Sequence, residues 1–357
     1  MKQLAIFNQE QAALAEKSGQ LTDEWLQAIY KEKYFKLFVP KELGGLGCNL
    51  TDALVIEENL ARIDGSLGWT ITLCAGAAWF VGFMDENLRE EVFKRKDSCL
   101  AGSGFVGGKA NKVGQEHQIS GSWTYASGAL HATHFTANCE ILENGIPLLD
   151  KKGKPVIKAF LIDRKDVTIL DGWNYMGMIA TGSHAFKVEN LKVSLEKCFE
   201  IIPEKAQVED PIYQYPFLQF AEATLAANIL GISFHLFELI EDSFWKRHEY
   251  RKYDKKHLKF FKKLSENKKE KLEKIKIAFY KQVDSSYQEL TEKGEISGKT
   301  LKKVSKIARK LTQTCREINS RMYPFSGLEA AKTHTELNRV WRDFNTVSQH
   351  ALLIFPF

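Results

Sequence analysis

The sequence predicts an α+β protein in three parts: a helical domain over 1–97, a β domain over 98–210 and a helical bundle over 211–357. Three observations carry this. Apolar residues repeat at helical spacing up to about 97. Short β-branched and aromatic runs, separated by turn residues, fill 98–205. Long apolar stretches with short breaks return from 217 onward.

The elements follow in order. In LTDEWLQAIYKEKYF, Leu21, Trp25, Ile29 and Phe35 fall near helical spacing, and Thr22 or Asp23 can cap the start. VPKELGGLG (39–47) breaks the pattern with three glycines. TDALVIEENLARID is again helical, with Thr51 or Asp52 as the expected cap. SLGWTITLCAGAAWFVGFM (66–84) holds 19 uncharged residues, long enough to span a bilayer. Its glycines and hydroxyl residues favour the buried centre of a helical domain instead, and no membrane segment is expected.

In the middle part, HQISGSW, HFTANCEIL, VIKAFLID and HAFKVENLKV read as strands. The turn residues between them are GQE (114–116), ENG (143–145) and KKGK (151–154). PIYQYP (211–216) is the expected hinge. One long apolar helix should begin at Phe217, two more should follow, and RVWRDFNTVSQHALLIF should close the bundle.

Composition narrows the class. The chain has 357 residues, 44% hydrophobic and 27% charged, with a net charge of +5. Between Lys246 and Lys276 there are 14 Lys/Arg against 5 Asp/Glu, but the aromatics there alternate with Leu258, Leu264, Leu272 and Ile275. That is the apolar stripe of a solvated helix, and nucleic acid is not the expected partner. Six cysteines lie scattered without CxxC or CxxH spacing, which speaks against a zinc site and fits a reducing cytoplasm. No secretory leader is expected from MKQLAIFNQEQ. The apolar tail ALLIFPF, with Phe355 and Phe357, calls for cover in an oligomer.

Three stretches carry chemistry. The glycines of VPKELGGLG permit a tight loop, or simply turn one helix into the next. GSWTYASG (121–128) ends a strand on an aromatic and a hydroxyl residue. Such an edge suits a planar cofactor, with Ser127 as a hydrogen-bond donor; an ordinary amphipathic strand accounts for the same residues. Arg342-Asp343, in NRVWRDF, reads as a buried ion pair that fixes helix contacts.

Taken together and in this order, VPKELGGLG, ISGSWTYASG and NRVWRDF resemble the acyl-CoA dehydrogenase superfamily. The resemblance covers nearly the whole chain. It implies an N-terminal helical domain, a middle β-barrel domain and a C-terminal four-helix bundle, with a flavin between the last two and usually a homotetramer. Tyr125 and Ser127 match residues that contact the flavin ring in that family. Ser103, in LAGSGFVGG, falls near another flavin-binding position. Gly327, in YPFSGLEAA, matches a turn that approaches the adenine side of the cofactor, here with a single glycine.

A dehydrogenase of this family needs a carboxylate base. At the matching position stands Ala351, directly after His350. A second base location, early in the first bundle helix, falls within one residue of Glu222. The pattern around Trp123, Ser127-Gly128, His131 and WRDFNTVSQH is more similar to the two-component flavin monooxygenase branch. There, reduced flavin (FAD or FMN) from a separate flavin reductase reacts with O2, and an aromatic or heteroatom substrate is oxygenated. The resemblance then implies His350 as a proton-handling group and His131 as a substrate contact. Two alternatives stay open: an acyl-CoA dehydrogenase with Glu222 as base, and a flavin- or partner-binding homologue without turnover. The apolar stretches 66–84 and 217–240 imply a hydrophobic or aromatic ligand.

Overall fold

The computed structural model describes residues 5–355; Phe357 of the apolar tail lies outside them. The N-terminal part holds α1 (Gln9–Ser18), α2 (Asp23–Glu32), α3 (Leu50–Ile63), α4 (Gly65–Ala78) and α5 (Glu86–Phe93). Thr22 caps α2 by accepting from the Trp25 N–H. The cap of α3 is Asn49, not Thr51 or Asp52: its side-chain carbonyl accepts from the Asp52 N–H at 2.9 Å. An amide oxygen makes a strong N-cap, and the Thr51 hydroxyl is turned outward to Asp284. In the glycine loop, a Cβ on Gly45 would stand 2.0 Å from the Val39 carbonyl oxygen, so only glycine lets the chain double back there.

The middle part is one sheet of eight strands: β1 (Leu100–Val113), β2 (Glu116–Ala126), β3 (His134–Glu143), β4 (Ile146–Pro147), β5 (Ile157–Asp163), β6 (Thr168–Leu170), β7 (His184–Ser194) and β8 (Cys198–Phe199). The order is β6-β7-β2-β1-β3-β5-β8, with β4 beside β3. Only β1 and β3 run parallel. Among the described residues no ladder joins β6 to β8, so the expected barrel is a sheet left open at that seam. Its core is built on Trp123, Phe135, Phe160 and Phe186, with Trp123 stacked on Phe186 at 5.0 Å.

The C-terminal part holds α6 (Pro211–Gln214), α7 (Phe217–Arg251), α8 (Lys255–Lys293), α9 (Gly298–Met322) and α10 (Glu336–Val347). The expected hinge at 211–216 is instead buried and anchored. Tyr213 donates to the Phe38 carbonyl at 2.6 Å, and the Tyr215 hydroxyl meets that of Ser286 at 2.7 Å. The two apolar stretches long enough to cross a membrane, around α4 and along α7, are 83% and 89% buried within the protein. They form the centre of one hydrophobic core shared by the N-terminal helices and the bundle. The sheet keeps its own.

Candidate active site between the sheet and the last helix

Arg342 and Asp343 do not pair with each other, contrary to the expected ion pair. Successive residues on a helix point about 100° apart, and each takes its own partner. Asp343 is buried and accepts the Met178 N–H. Arg342 donates to the Met176 carbonyl at 2.6 Å and to Asn338 at 2.7 Å, and it pairs with Glu16 of α1. Both residues therefore grip one segment, the loop between β6 and β7. Gly177 lies so close that a Cβ there would stand 2.2 Å from the Arg342 carbonyl oxygen.

That grip is passed on to the sheet. Met178, held at φ 58°, offers its carbonyl to the Thr181 hydroxyl at 2.7 Å and to the Trp173 indole N–H at 2.8 Å. Thr181 meets the Ser183 hydroxyl at 2.6 Å, and Ser183 meets Ser127 at 2.8 Å. The Gly128 N–H donates to the Thr181 carbonyl at 2.9 Å. Ser127 is buried at the end of this relay, while its neighbour Tyr125 is 59% exposed. At φ 64°, Tyr125 turns its ring out of the strand. Trp173 stacks on Tyr175 at 4.0 Å, Tyr125 meets Trp173 edge-on at 6.2 Å, and the Tyr175 hydroxyl donates to that of Tyr125 at 3.2 Å. The result is an aromatic face beside a hydroxyl, at the sheet end nearest α10. Sequence reasoning missed Trp173, Tyr175, Thr181 and Ser183. They sit in an irregular loop, where no period marks them.

Ser103 lies at the same end of the sheet, because the antiparallel β1–β2 register pairs Gly108 with Gly121 and runs toward it. β1 is irregular between Ser103 and Gly108. The Ser103 hydroxyl accepts from the Phe105 N–H at 3.2 Å, and Phe105 is 61% exposed.

His350 is not on a helix, as the sequence suggested. α10 ends at Val347, beyond which the Gln349 and His350 N–H groups bond three residues back, to the Thr346 and Val347 carbonyls at 3.3 Å and 3.1 Å, and the Gln349 side chain takes the Asn345 carbonyl at 2.7 Å. His350 then caps a short 3-10 turn, and its Nδ1 accepts the Leu352 N–H at 3.4 Å. Its ring lies 5.9 Å from that of Trp69 on α4. Burial lowers its pKa below the ordinary 6.5. The ring is neutral at neutral pH, and with Nδ1 accepting, the proton sits on Nε2.

Glu222 is buried on α7. Arg309 of α9 donates to its Oε1 at 2.5 Å and to the Leu352 carbonyl at 3.2 Å. His350 and Glu222 are thus linked through Leu352 and Arg309, and the second oxygen of Glu222 has no hydrogen-bond partner. Arg309, the residue that binds the carboxylate, carried no signal in the sequence beyond its charge.

Gly327 is elsewhere. It turns at φ 68° against Arg247, whose Nη1 a Cβ would meet at 2.3 Å. Arg247 lies roughly 37 Å beyond Glu222 along α7, at about 1.5 Å per residue. Within one chain the structure does not bring Gly327 to the others.

His131 stacks on Phe35 at 5.5 Å, and its buried Nε2 faces the Cys74 thiol. It sits with Cys74 of α4 and Cys99, the residue before β1: one donor atom from each lies within 4.8 Å of the others. Motif spacing is silent on such a cluster, because the three donors come from separate elements. Cys74 also donates to the Ser127 carbonyl at 3.6 Å, and a hydrogen bond with Cys99 pulls its thiol down to about 6. α4 therefore touches His350 through Trp69 and the Ser127 turn through Cys74.

Comparison with known proteins agrees with this architecture. Residues 6–95 match the N-terminal domain model of acyl-CoA dehydrogenases, and residues 261–355 match the C-terminal domain model. A pigment production hydroxylase of a Rhodococcus species is 30% identical over 230 residues, 62% of this chain and 58% of that protein. The flavin-dependent monooxygenase oxygenase subunit HsaA of Mycobacterium tuberculosis is 27% identical over 237 residues, 63% of this chain and 57% of its own length. These matches span less than two thirds of either relative. The crystal structure of HsaA superposes with a TM-score of 0.87 at 22% identity, covering 97% of this chain and 90% of that one. XiaF from a Streptomyces species, solved in complex with FADH2 and glycerol, gives 0.86 at 19%, covering 96% and 88%. The structural likenesses establish the fold, and the two domain models together span half of the chain. On the match to these two models, the chain belongs to the acyl-CoA dehydrogenase superfamily.

Proposed function

We propose that the chain is the oxygenase component of a two-component flavin-dependent monooxygenase acting on a hydrophobic, aromatic substrate. One observation carries the reading. Where a dehydrogenase needs a free carboxylate, this chain holds a neutral, half-buried His350, and the Glu222 carboxylate is engaged by Arg309. The named relatives point the same way, since one is called a hydroxylase and another the oxygenase subunit of a flavin-dependent monooxygenase.

The residues present fit a flavin. The exposed Tyr125 ring, the Trp173–Tyr175 stack and the Ser127 hydroxyl form an aromatic surface with a polar edge. Tyr125 and Ser127 would hold the ring system, with Ser103 on the same edge and Gly327 serving the far end of a cofactor from a neighbouring subunit. Reduced flavin, as FADH2 or FMNH2 from a separate reductase, would supply the electrons that activate O2. His350 would donate a hydrogen bond from Nε2 to the oxygen being transferred and return a proton there, work suited to an imidazole near neutral pH. The apolar walls of α4 and α7 exclude water and receive an aromatic substrate. His131 is half-buried and stacked on Phe35, so its share in substrate binding would be indirect. We further infer a homotetramer in a reducing cytoplasm. Ile354 and Phe355 remain exposed in a single chain, and all six cysteines are free.

Rapid mixing of the protein with reduced flavin, O2 and phenolic or indolic compounds tests the reading. Hydroxylated product should form, and His350→Ala should lower it roughly 10²-fold, with flavin binding retained and H2O2 released instead. Oxidation of an acyl-CoA to its enoyl form, lost in Glu222→Gln, would overturn the reading in favour of a dehydrogenase.

A further inference from the structure

We propose that Cys74, Cys99 and His131 form a binding site for a thiophilic divalent cation, Zn2+ in the first instance. Three observations converge. The three donor atoms lie within 4.8 Å of one another. A tetrahedral zinc with bonds of about 2.3 Å to sulfur holds its ligands roughly 3.8 Å apart, so contraction by about 1 Å at most completes the set. The His131 Nε2 is buried and faces the Cys74 thiol, a weak partner that a metal bond would replace. Finally, the site has room because residue 128 is glycine. A Cβ there would stand 2.7 Å from the Cys74 sulfur and 3.1 Å from the His131 Nε2.

The three donors are held by rigid parts of the fold. Cys74 lies inside α4 and is fully buried. Cys99 is pinned by Thr133, whose N–H and hydroxyl both donate to its carbonyl, at 2.8 Å and 2.9 Å. The His131 ring is fixed by its stack on Phe35. A disulfide between the two cysteines would leave the imidazole nitrogen unused, whereas a metal uses all three donors. On binding, each thiol releases its proton to solvent as its sulfur bonds the ion, and no electron moves. Two thiolates and a neutral imidazole balance the dication, as a buried site requires. The Ser127 carbonyl, to which Cys74 now donates at 3.6 Å, then loses that donor.

The inference does not depend on the monooxygenase reading, and its test involves neither flavin nor substrate. The full chain, reduced and stripped with a chelator, is titrated with Zn2+ against a chromophoric chelator, and with Co2+ in parallel. One equivalent should bind. Co2+ should give near-ultraviolet thiolate charge-transfer bands and strong visible bands of a tetrahedral ion. Cys74→Ser and Cys99→Ser should each weaken binding at least 100-fold, and His131→Gln about 10- to 100-fold. Cys48→Ser should change nothing, which separates loss of a ligand from general damage. Failure of the wild type to bind either ion overturns the proposal, whatever the variants do. So does binding that survives in the Cys74→Ser/Cys99→Ser double variant, or a Cys74–Cys99 disulfide found by mass spectrometry in protein without metal affinity.

Discussion

At the scale of single residues, the site depends on where protons rest. Burial holds the His350 pKa below 6.5. In the window just beneath that value the unfolded chain binds a proton that the folded chain does not. Stability is therefore lost as pH falls through it. His350→Gln should lose less on acidification than the wild type, as urea unfolding at several pH values would reveal. Equal slopes would mean that the imidazole is not buried neutral. Ser127 ends a hydroxyl relay and has one further bonding position to offer. Ser127→Ala should weaken flavin binding by about 1 kcal/mol, the net worth of a typical hydrogen bond. Calorimetric titration with reduced flavin under anaerobic conditions measures it. Gly108 is constrained in another way, since a Cβ there would stand 2.3 Å from the Trp123 ring. Gly108→Ala should destabilise the sheet core by about 1–3 kcal/mol, read as a lowered midpoint in thermal unfolding.

At the scale of elements, α10 works as a clamp on the loop between β6 and β7. Burial, helped by the nearby Asp64, pushes the Asp343 carboxyl from 3.8 up to about 7. Across that range the folded chain keeps a proton that the unfolded chain releases. The contribution of Asp343 is complete below 3.8 and declines as pH rises toward 7. Asp343→Asn keeps an acceptor for the Met178 N–H and removes the titration. Its stability should gain on the wild type as pH rises from 4 to 7. Asp343→Ala leaves that N–H unpaired and should cost about 1–3 kcal/mol. It should also change the fluorescence of Trp173, whose indole bonds to the Met178 carbonyl. A change confined to global stability, with an unaltered Trp173 signal, would show that the clamp does not set the loop.

At the scale of the whole molecule, the two helical parts share one core while the sheet keeps its own. α7 packs on α3, α4, α9 and α10. Residues 1–97 alone would expose the face of α4 that the bundle covers. That fragment should lack the cooperative thermal transition of the intact chain by circular dichroism. A cooperative transition would mark it as an independent domain. The proposed tetramer belongs to this scale as well. Removing residues after 350 should shift the sedimenting species to smaller mass.

The sequence alone determined what repeats. The helical and alternating periods located the three parts. The local rules of turns placed the reversals, with Asn144 and Gly145 both at positive φ in the tight turn after β3. Short, ordered motifs carried the superfamily. They also marked Tyr125, Ser127 and His350; the structure sets Ser127 and His350 against α4, whereas Gly327 stands apart. β1 escaped because its glycines argue against a strand. Two of them, Gly107 and Gly108, admit the ring of Trp123, which lies on the neighbouring strand. Only the tertiary structure decided the partners of Arg342 and Asp343, the Thr181–Ser183–Ser127 relay, the capture of Glu222 by Arg309, and the meeting of Cys74, Cys99 and His131. All of these join residues on separate elements. Their distances depend on how packed surfaces fit, and a linear pattern holds no record of that.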